Sequence, residues 1–262
     1  MNNPWLVPFK SDANADHRLF CFPYAGGSAY VFRSWNQMLP PSFEVVAIQA
    51  PGTGKRLIEP PCMSVEEIVS GVLEAIGSLF GEKPFSFFGH SKGALIAFEL
   101  AAKLQQRNMP QPKHLFLSAS PAPWTRILRQ DYASLSDSEF IERIKSLNGT
   151  PPGVFEEPEL LKLILPGLRA DFTLCERYSH RPTDMLRVPT TVFFGEYDQI
   201  EPHQVRAWQD AIACEIRFES IPGEHFFIHS HLERLTMLVG RQLRRNSNLR
   251  GEIMTLPAME FP

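Results

Sequence analysis

The chain has 262 residues, of which 44% are hydrophobic, and 26 Lys and Arg stand against 29 Asp and Glu, a formal net charge of −3. This length suits one large α/β domain with a hydrophobic core that needs neither metal nor disulfides to fold. The charge argues against binding to a nucleic-acid backbone, and the composition excludes a disordered or collagen-like chain.

The amino-terminal segment shows no targeting signal. The first 18 residues contain Lys10, Asp12, Asp16 and Arg18 and lack the apolar stretch of a secretory signal. No uncharged apolar run of about 18 residues, the length needed for a membrane span, occurs in the chain. The cysteines show no CxxC spacing, which predicts buried, reduced thiols rather than a zinc site or disulfides. We expect a soluble, cytoplasmic monomer that contacts no membrane.

Six short runs rich in Phe, Val and Ile predict β-strands, at 18–23, 43–48, 85–89, 114–119, 190–195 and 215–220. Their hydrophobicity is mostly continuous, which is typical of parallel strands that are covered on both faces. Segments with helical spacing or composition lie at 29–39, 64–80, 92–107, 203–213 and 226–244. The alternation predicts a doubly wound α/β sheet with helices on both faces.

A long interval between the fourth and fifth predicted strands interrupts this alternation. It contains roughly 70 residues, far more than an ordinary connecting loop. Three segments in it predict helices: 136–147, 158–165 and 168–178. The first begins with Ser136 and Glu139, the spacing of a capping box. We therefore expect a helical lid insertion at 124–184 within a single domain at 1–262, and a C-terminal tail at 245–262.

The motif GHSKG at 89–93 follows the predicted strand FSFF and opens an apolar helical stretch. This is G-x-S-x-G between a strand and a helix, where a sharp turn exposes the serine hydroxyl at the carboxyl edge of the sheet. Glycines on either side let the strand and helix approach closely. Ser91 is therefore the candidate nucleophile, and the alternative is a chance match in a glycine-containing turn.

A serine nucleophile needs a base within hydrogen-bond reach and a third group that orients this base. Among the eight histidines, His225 is the best placed, because it follows the last predicted strand and a Pro-Gly-Glu turn. His229 and His231 lie farther into the following helix. His225 and His229 have a spacing that would suit a metal, but no third-ligand pattern accompanies them, so we predict no metal site.

The acid is predicted at the end of the strand at 190–195, where such folds place functional residues. Asp198 is the first choice, with Glu196 and Glu201 as fallbacks, and the alternative is a solvated turn carboxylate. The order Ser91, Asp198, His225 is the nucleophile, acid and histidine order of α/β-hydrolases.

The oxyanion formed by such a nucleophile needs two preorganised N–H donors. One is the backbone amide of Lys92, directly after the nucleophile. The other is expected from the loop FPYAGGS, where Gly26 and Gly27 can turn amides inward and Ala25 is the predicted donor. The chain contains neither G-x-G-x-x-G nor a P-loop, and no cofactor is implied.

With these residues in place, the sequence closely resembles the stand-alone type II thioesterases that accompany polyketide and nonribosomal peptide synthases. The blocks FPYAGGSA and LPGLRADF carry this resemblance more specifically than G-x-S-x-G, and it covers about residues 18–240. It implies an α/β-hydrolase fold with a mobile helical lid, and hydrolysis of acyl groups from the phosphopantetheine arm of a carrier protein, the expected partner.

The resemblance assigns the same triad, Ser91, His225 and Asp198, and it favours the Ala25 and Lys92 amides as oxyanion donors. In thioesterase domains fused to synthases, the acid typically follows the next strand after the nucleophile. HLFLSASPAPW offers no carboxylate there, which favours the free-standing editing type.

Two positions depart from the family pattern. Lys92 stands where the family usually has Met, and Glu224 where it usually has Gly. A cation at Lys92 could alter acyl preference or favour an acidic acyl group. The alternative is that its stem covers apolar surface and its ammonium reaches water. A Ser–Lys dyad is not expected, because adjacent helical residues do not face each other.

Three other functions are compatible with these residues. The same triad could release a product or transfer the acyl group to an amine or hydroxyl instead of water. The chain could be a non-catalytic protein that binds carrier proteins, although an intact triad speaks against this. A generic esterase or lipase would prefer oxygen esters.

Overall fold

The computed structural model describes residues 3–9, 15–125, 131–147, 149, 152–178 and 184–246. The described strands are β1 Leu6–Pro8, β2 His17–Phe22, β3 Phe43–Ile48, β4 Phe85–His90, β5 Leu115–Ser118, β6 Thr190–Gly195 and β7 Ile216–Ile221. They form one sheet in the order β1-β3-β2-β4-β5-β6-β7. Strand β1 runs antiparallel to β3, and every other pair is parallel.

The six predicted strands are confirmed, each with ends within one residue of the prediction. All residues of β2, β3, β4 and β5 are buried, which explains why their sequences are mostly apolar. Strand β1 was not predicted, because it is a three-residue edge strand that contains a proline.

The described α-helices are α1 Trp35–Met38, α2 Val65–Gly77, α3 Lys92–Gln106, α4 Asp137–Lys145, α5 Pro152–Glu156, α6 Pro158–Arg177, α7 Pro202–Arg206, α8 Phe227–Ser230 and α9 Leu232–Asn246. Short 3₁₀ helices lie at Ala29–Phe32, Gly54–Arg56, Pro123–Thr125 and Ala207–Ala211. Three of the predicted helical segments, 29–39, 203–213 and 226–244, each contain two consecutive helices rather than one.

Hydrophobic cores cover both faces of the sheet. Successive strand residues point to opposite faces, so Phe20 of β2 packs with α2 and α3, whereas its neighbour Leu19 packs with α1, α8 and α9. Trp35 of α1 is fully buried on the second face. Each such side chain contributes about 1.5–3 kcal/mol relative to an exposed one. The two cores hold the carboxyl ends of the parallel strands in fixed positions.

Helices α4, α5 and α6 lie between β5 and β6 in the chain. The capping box predicted for α4 is confirmed, because Glu139 N–H donates to Ser136 Oγ at 3.3 Å and Ser136 N–H donates to Glu139 Oε2 at 2.9 Å. Helix α5 was not predicted. The prediction of two helices at 158–165 and 168–178 is wrong, since α6 is continuous through Pro166.

Helix α6 belongs to two hydrophobic clusters, which explains why it continues past its proline. Its Leu168 packs with Phe140 and Ile144 of α4 in a small third core. Its Leu174 packs in the core beneath α2 and α3. Burial on both sides offsets the backbone hydrogen bond that Pro166 cannot make.

Three further predictions concern membrane spans, the cysteines and the C-terminal tail. Within the described ranges, no helix combines the length and apolar character needed to cross a membrane. All four cysteines are free, but only Cys21 is buried, and Cys214 is exposed in the turn before β7, so the prediction of buried thiols is wrong there. The predicted tail at 245–262 lies outside the described residues beyond the end of α9, as do parts of the predicted lid.

Candidate active site

Ser91 occupies a sharp turn between β4 and α3. Its backbone has φ 55° and ψ −112°, a conformation that non-glycine residues rarely adopt. Its N–H donates to the carbonyl oxygen of Ser118 on β5 at 2.7 Å. A Cβ on Gly89 would lie 2.0 Å from the carbonyl oxygen of Gly93, and one on Gly93 would lie 2.0 Å from that of Phe22. Both glycines are therefore needed for the turn.

The three predicted site residues Ser91, His225 and Asp198 lie together at the carboxyl edge of the sheet. His225 Nε2 is 3.1 Å from Ser91 Oγ, and His225 Nδ1 is 2.9 Å from Asp198 Oδ2. Asp198 follows β6 and His225 follows β7. These strands are parallel to β4, so their carboxyl ends meet at the same edge.

The hydrogen bonds define the protonation of the His225 imidazole. A carboxylate only accepts hydrogen bonds, so the proton sits on Nδ1, which donates to Asp198 Oδ2. The lone pair of Nε2 then faces the Ser91 hydroxyl. The Asp198 side chain is 3% exposed and that of His225 is 31% exposed. The arrangement is able to remove the serine proton.

The fallback acids have other contacts. Glu196 Oε1 accepts a hydrogen bond from Ser220 Oγ at 3.0 Å. Glu201 caps the amino terminus of α7 through a capping box with Gln204. Neither is the partner of His225 in this structure.

The competing histidines are also engaged elsewhere. His229 Nε2 is hydrogen bonded to the Tyr24 hydroxyl at 2.8 Å, and His231 Nδ1 to Ser230 Oγ at 2.9 Å. In the part of the chain that the structure describes, no group of three or more His, Cys, Asp or Glu side chains is arranged to hold a metal ion.

His90 lies beneath the site and stabilises it through two hydrogen bonds, a role that was not predicted from the sequence. Its Nε2–H donates to the backbone carbonyl of His225 at 3.0 Å, and Ser118 Oγ–H donates to its Nδ1 at 2.9 Å. Burial holds the pKa of His90 well below its usual value, and the neighbouring His225 adds to this effect. The neutral form is the one that these two bonds require. Its position at the buried end of β4 was the available signal.

The loop after β2 borders the site through Ala25, which lines the same cavity as Ser91. The glycine amides do not turn toward the oxyanion position as expected. Gly26 N–H donates to Asp171 Oδ2 at 2.8 Å, and Gly27 N–H donates to the carbonyl oxygen of Tyr24 at 2.9 Å. The amide of Ala25 is therefore the donor of this loop that best fits an oxyanion role.

The second expected donor, the amide of Lys92, is at the first residue of α3. Amides in the first helical turn have no acceptor within the helix, and the helix dipole places positive potential there. This position fits a donor to a developing oxyanion.

The Lys92 side chain is paired with a carboxylate that the sequence did not predict. Its Nζ lies 2.6 Å from Asp171 Oδ1, and the two side chains are only 5% and 8% exposed. The expectation of an ammonium in water is wrong, because α6 covers the turn and supplies a carboxylate. An ammonium that is already paired offers little charge to an acidic acyl group, so the contact does not favour the selectivity hypothesis.

Asp171 was missed by sequence reasoning. The available signal is its spacing, since Leu168, Asp171 and Leu174 recur at the interval of one helical face and all three are buried. An acid on such a face needs a partner, because burying an unpaired charge is costly.

A cavity of about 910 Å³ lies over Ser91 and His225. Apolar side chains from the helical insertion line one side of it: Ile144, Leu147 and Phe172. Its size and its mixture of apolar walls with a few polar groups fit a small-molecule site that accepts an acyl chain.

Sequence comparison places the chain in a known protein family. The sequence profile of the family described as "Thioesterase domain" matches residues 17–243. The gramicidin S biosynthesis protein GrsT of Aneurinibacillus migulanus is 39% identical over 243 residues, which cover 92% of this chain and 94% of GrsT.

Solved structures agree with this match. RedJ, a thioesterase from the prodiginine biosynthetic pathway in Streptomyces coelicolor, has a TM-score of 0.80 at 38% identity, covering 88% of this chain and 87% of RedJ. BorB, a type II thioesterase from the borrelidin biosynthetic cluster, has a TM-score of 0.83 at 30% identity, covering 92% of this chain and 98% of BorB. The predicted α/β-hydrolase fold is confirmed.

Proposed function

The chain belongs to the thioesterase domain family, and we propose that it is a type II thioesterase that hydrolyses acyl groups from the phosphopantetheine arm of carrier proteins. The observation that carries the proposal is the hydrogen-bonded series Ser91, His225 and Asp198 beneath an apolar-walled cavity. Similarity to GrsT, RedJ and BorB along most of the chain supports the type of substrate.

The first half of the reaction transfers the acyl group to the enzyme. Ser91 Oγ attacks the thioester carbonyl while His225 Nε2 takes its proton, and the oxyanion is held by the Ala25 and Lys92 amides. When the intermediate collapses, the carbon–sulfur bond breaks and His225 returns the proton to the departing thiolate. The products are an acyl ester of Ser91 and a free carrier thiol.

The second half releases the acid. Water enters, His225 takes one of its protons, and the resulting hydroxide equivalent attacks the ester carbonyl. Collapse of this second intermediate breaks the bond to Ser91 Oγ, which recovers its proton from His225. Asp198 acts throughout by holding the imidazole in the tautomer that presents Nε2 to the serine.

The physiological task proposed for this hydrolysis is editing, the removal of stalled or misprimed acyl groups so that a synthase resumes work. The segment at 124–184 is proposed as a lid over the cavity, since its helices supply one wall. Gating would come from α4 and α5, because Leu174 of α6 is fixed in the main core.

The remaining expectations are parts of the same proposal. Four free cysteines, one of them exposed, are typical of a reducing compartment, so we place the protein in the cytoplasm. A single chain provides the whole triad, so the proposed activity is compatible with a monomer.

The test is a panel of acyl carrier proteins at fixed concentration, with acyl release followed by intact mass. The proposal predicts free acid and free carrier thiol with the wild-type protein and none above background with Ser91→Ala. Release that Ser91→Ala leaves undiminished would support the non-catalytic alternative. Acyl transfer to an added amine in preference to water would indicate a transferase. Faster cleavage of matched oxygen esters than of thioesters would indicate a generic esterase.

A further inference from the structure

We propose that Asp171 is a positioning residue for the oxyanion loop, and that it acts together with Lys92. This inference rests on the proposed function and assigns a role to an ion pair outside the triad. One carboxylate oxygen of Asp171 accepts the Gly26 amide at 2.8 Å, and the other accepts the Lys92 ammonium at 2.6 Å.

One partner of Asp171 is the chain neighbour of a proposed oxyanion donor, and the other partner is itself the second proposed donor. Gly26 follows Ala25, and Lys92 carries its own donor amide next to Ser91. Consecutive Cα atoms are separated by 3.8 Å, so a contact that fixes Gly26 also restricts the orientation of the Ala25 peptide. A single carboxylate therefore joins the two halves of the oxyanion site.

Helix α6 brings this carboxylate to the loop by close backbone packing. A Cβ on Gly26 would lie 2.4 Å from Leu168 Cδ1, and one on Gly167 would lie 2.4 Å from the Gly52 carbonyl oxygen. Gly26 has φ 76°, a left-handed conformation that suits glycine. About one turn before Asp171, the helix thus packs closely on the oxyanion loop through Leu168 and on the loop after β3 through Gly167.

The positive charge of Lys92 compensates for the negative charge of the buried Asp171 carboxylate. Asp171 without a counter-charge would place an unpaired negative charge beside the site where the oxyanion forms, and would oppose it. With Lys92, the pair is neutral overall and the Gly26 hydrogen bond is kept. Oxyanion donors accelerate a reaction only when they are held in the correct geometry before the charge develops.

The test compares two double variants, of which only one keeps a hydrogen-bond acceptor at position 171. In K92M/D171N the amide oxygen can still accept the Gly26 N–H and the buried charge is gone. In K92M/D171L the side chain has similar volume but no acceptor. Turnover of a butyryl N-acetylcysteamine thioester is measured, together with Tm, at a temperature below both unfolding transitions.

We expect kcat of K92M/D171L to be about 10-fold to 100-fold lower than that of K92M/D171N, with KM within about threefold, because the affected contact acts in the transition state. Equal kcat values for the two folded variants would overturn the proposal. A difference between them that is confined to KM would overturn it as well. If K92M/D171L does not fold, K92M/D171A replaces it in the same comparison with the same expected and contradicting results.

Asp137→Asn is the matched control. It removes a different ion pair to α6, in which Arg169 Nη2 lies 2.7 Å from Asp137 Oδ1, and it does not touch the oxyanion loop. Its kcat should stay within about twofold of wild type, and a loss as large as that of K92M/D171L would contradict the proposed role. Wild-type turnover of the thioester separates the positioning role of Asp171 from the proposed thioesterase function. If the wild-type protein does not turn the thioester over, the result counts against the proposed function itself.

Discussion

His90 and His225 are joined by a hydrogen bond from the imidazole of one to the backbone carbonyl of the other, at 3.0 Å. The residue before the proposed nucleophile thereby holds the loop that carries the proposed base. His90 is fully buried, and Ser118 orients its other ring nitrogen. The relative positions of Ser91 and His225 thus depend on a side chain that does not touch the substrate.

Replacing His90 with Ala should therefore lower kcat by about 10-fold or more, because small displacements of a catalytic group cost large factors in rate. The control is His114→Ala, since His114 is equally buried but is bonded to Thr191, which lies on the strand β6 within the sheet. Both variants should lose stability in urea unfolding. Equal losses of kcat in the two would show that the effect is one of stability alone.

The strands and the closeness of Ser91, Asp198 and His225 were predictable from sequence for the same physical reason. Parallel strands buried on both faces need continuous apolar runs, and functional residues follow those runs at one edge. Ser91 follows its strand directly, and Asp198 and His225 come within four residues of the ends of theirs. Their proposed roles rest on chain order and local turns, which are visible before any distance is known.

The Lys92–Asp171 contact could not be predicted in this way, because it joins the nucleophile turn to a helix of the inserted segment. No local pattern specifies how an insertion folds back over the sheet. Pro166 also suggested a helix break that tertiary packing overrides. The helical spacing of Leu168, Asp171 and Leu174 was the signal that the sequence alone contained.

Replacing Asp198 with Asn should reduce kcat by about 10⁴-fold, the loss that this substitution causes in another triad by stabilising the wrong histidine tautomer. Steady-state hydrolysis of the butyryl thioester is the measurement. Glu196→Gln and Glu201→Gln, which change the fallback acids, should stay within about twofold of wild type. A larger loss in either of these than in Asp198→Asn would reassign the acid.

Acid should destabilise the fold through buried histidines. Burial lowers the pKa of His17 to about 4 and that of His114 to about 3, and the nearby positive charges of Lys113 and Arg217 add to the effect, from an ordinary value of 6.5. The unfolded chain therefore binds protons below pH 6.5 that the folded chain does not, so stability falls as pH decreases from 6.5 toward 4.

Between pH 6.5 and pH 5, each of these two histidines should cost about 2 kcal/mol of unfolding free energy. Urea unfolding followed by tryptophan fluorescence over this range measures the slope. His114→Asn should make the slope shallower, although it also removes a hydrogen bond to Thr191. A slope that does not change in this variant would contradict the assignment of the proton uptake to His114.

Gly167→Ala should disturb the docking of α6 more than an alanine elsewhere in the inserted helices. The new Cβ would lie 2.4 Å from a backbone oxygen of Gly52, so the helix must move. We expect a loss of about 1–3 kcal/mol in unfolding free energy, with lower activity because Asp171 moves with the helix.

Gly153→Ala in α5 is the matched control, since no atom lies within 4 Å of the position of its Cβ. Alanine there should be neutral or stabilising by up to about 1 kcal/mol. Thermal unfolding of both variants checks the comparison. Equal stability of the two would mean that α6 does not dock through Gly167.

An acyl group on Ser91 would be decisive evidence for covalent catalysis by this residue. Wild-type protein is mixed with an acyl carrier protein, quenched in acid within milliseconds and examined by intact mass and peptide mapping. We expect a mass increase equal to the acyl group on the peptide that contains Ser91, and no increase in Ser91→Ala. An acyl group on a different residue, or undiminished product release by Ser91→Ala, would contradict it.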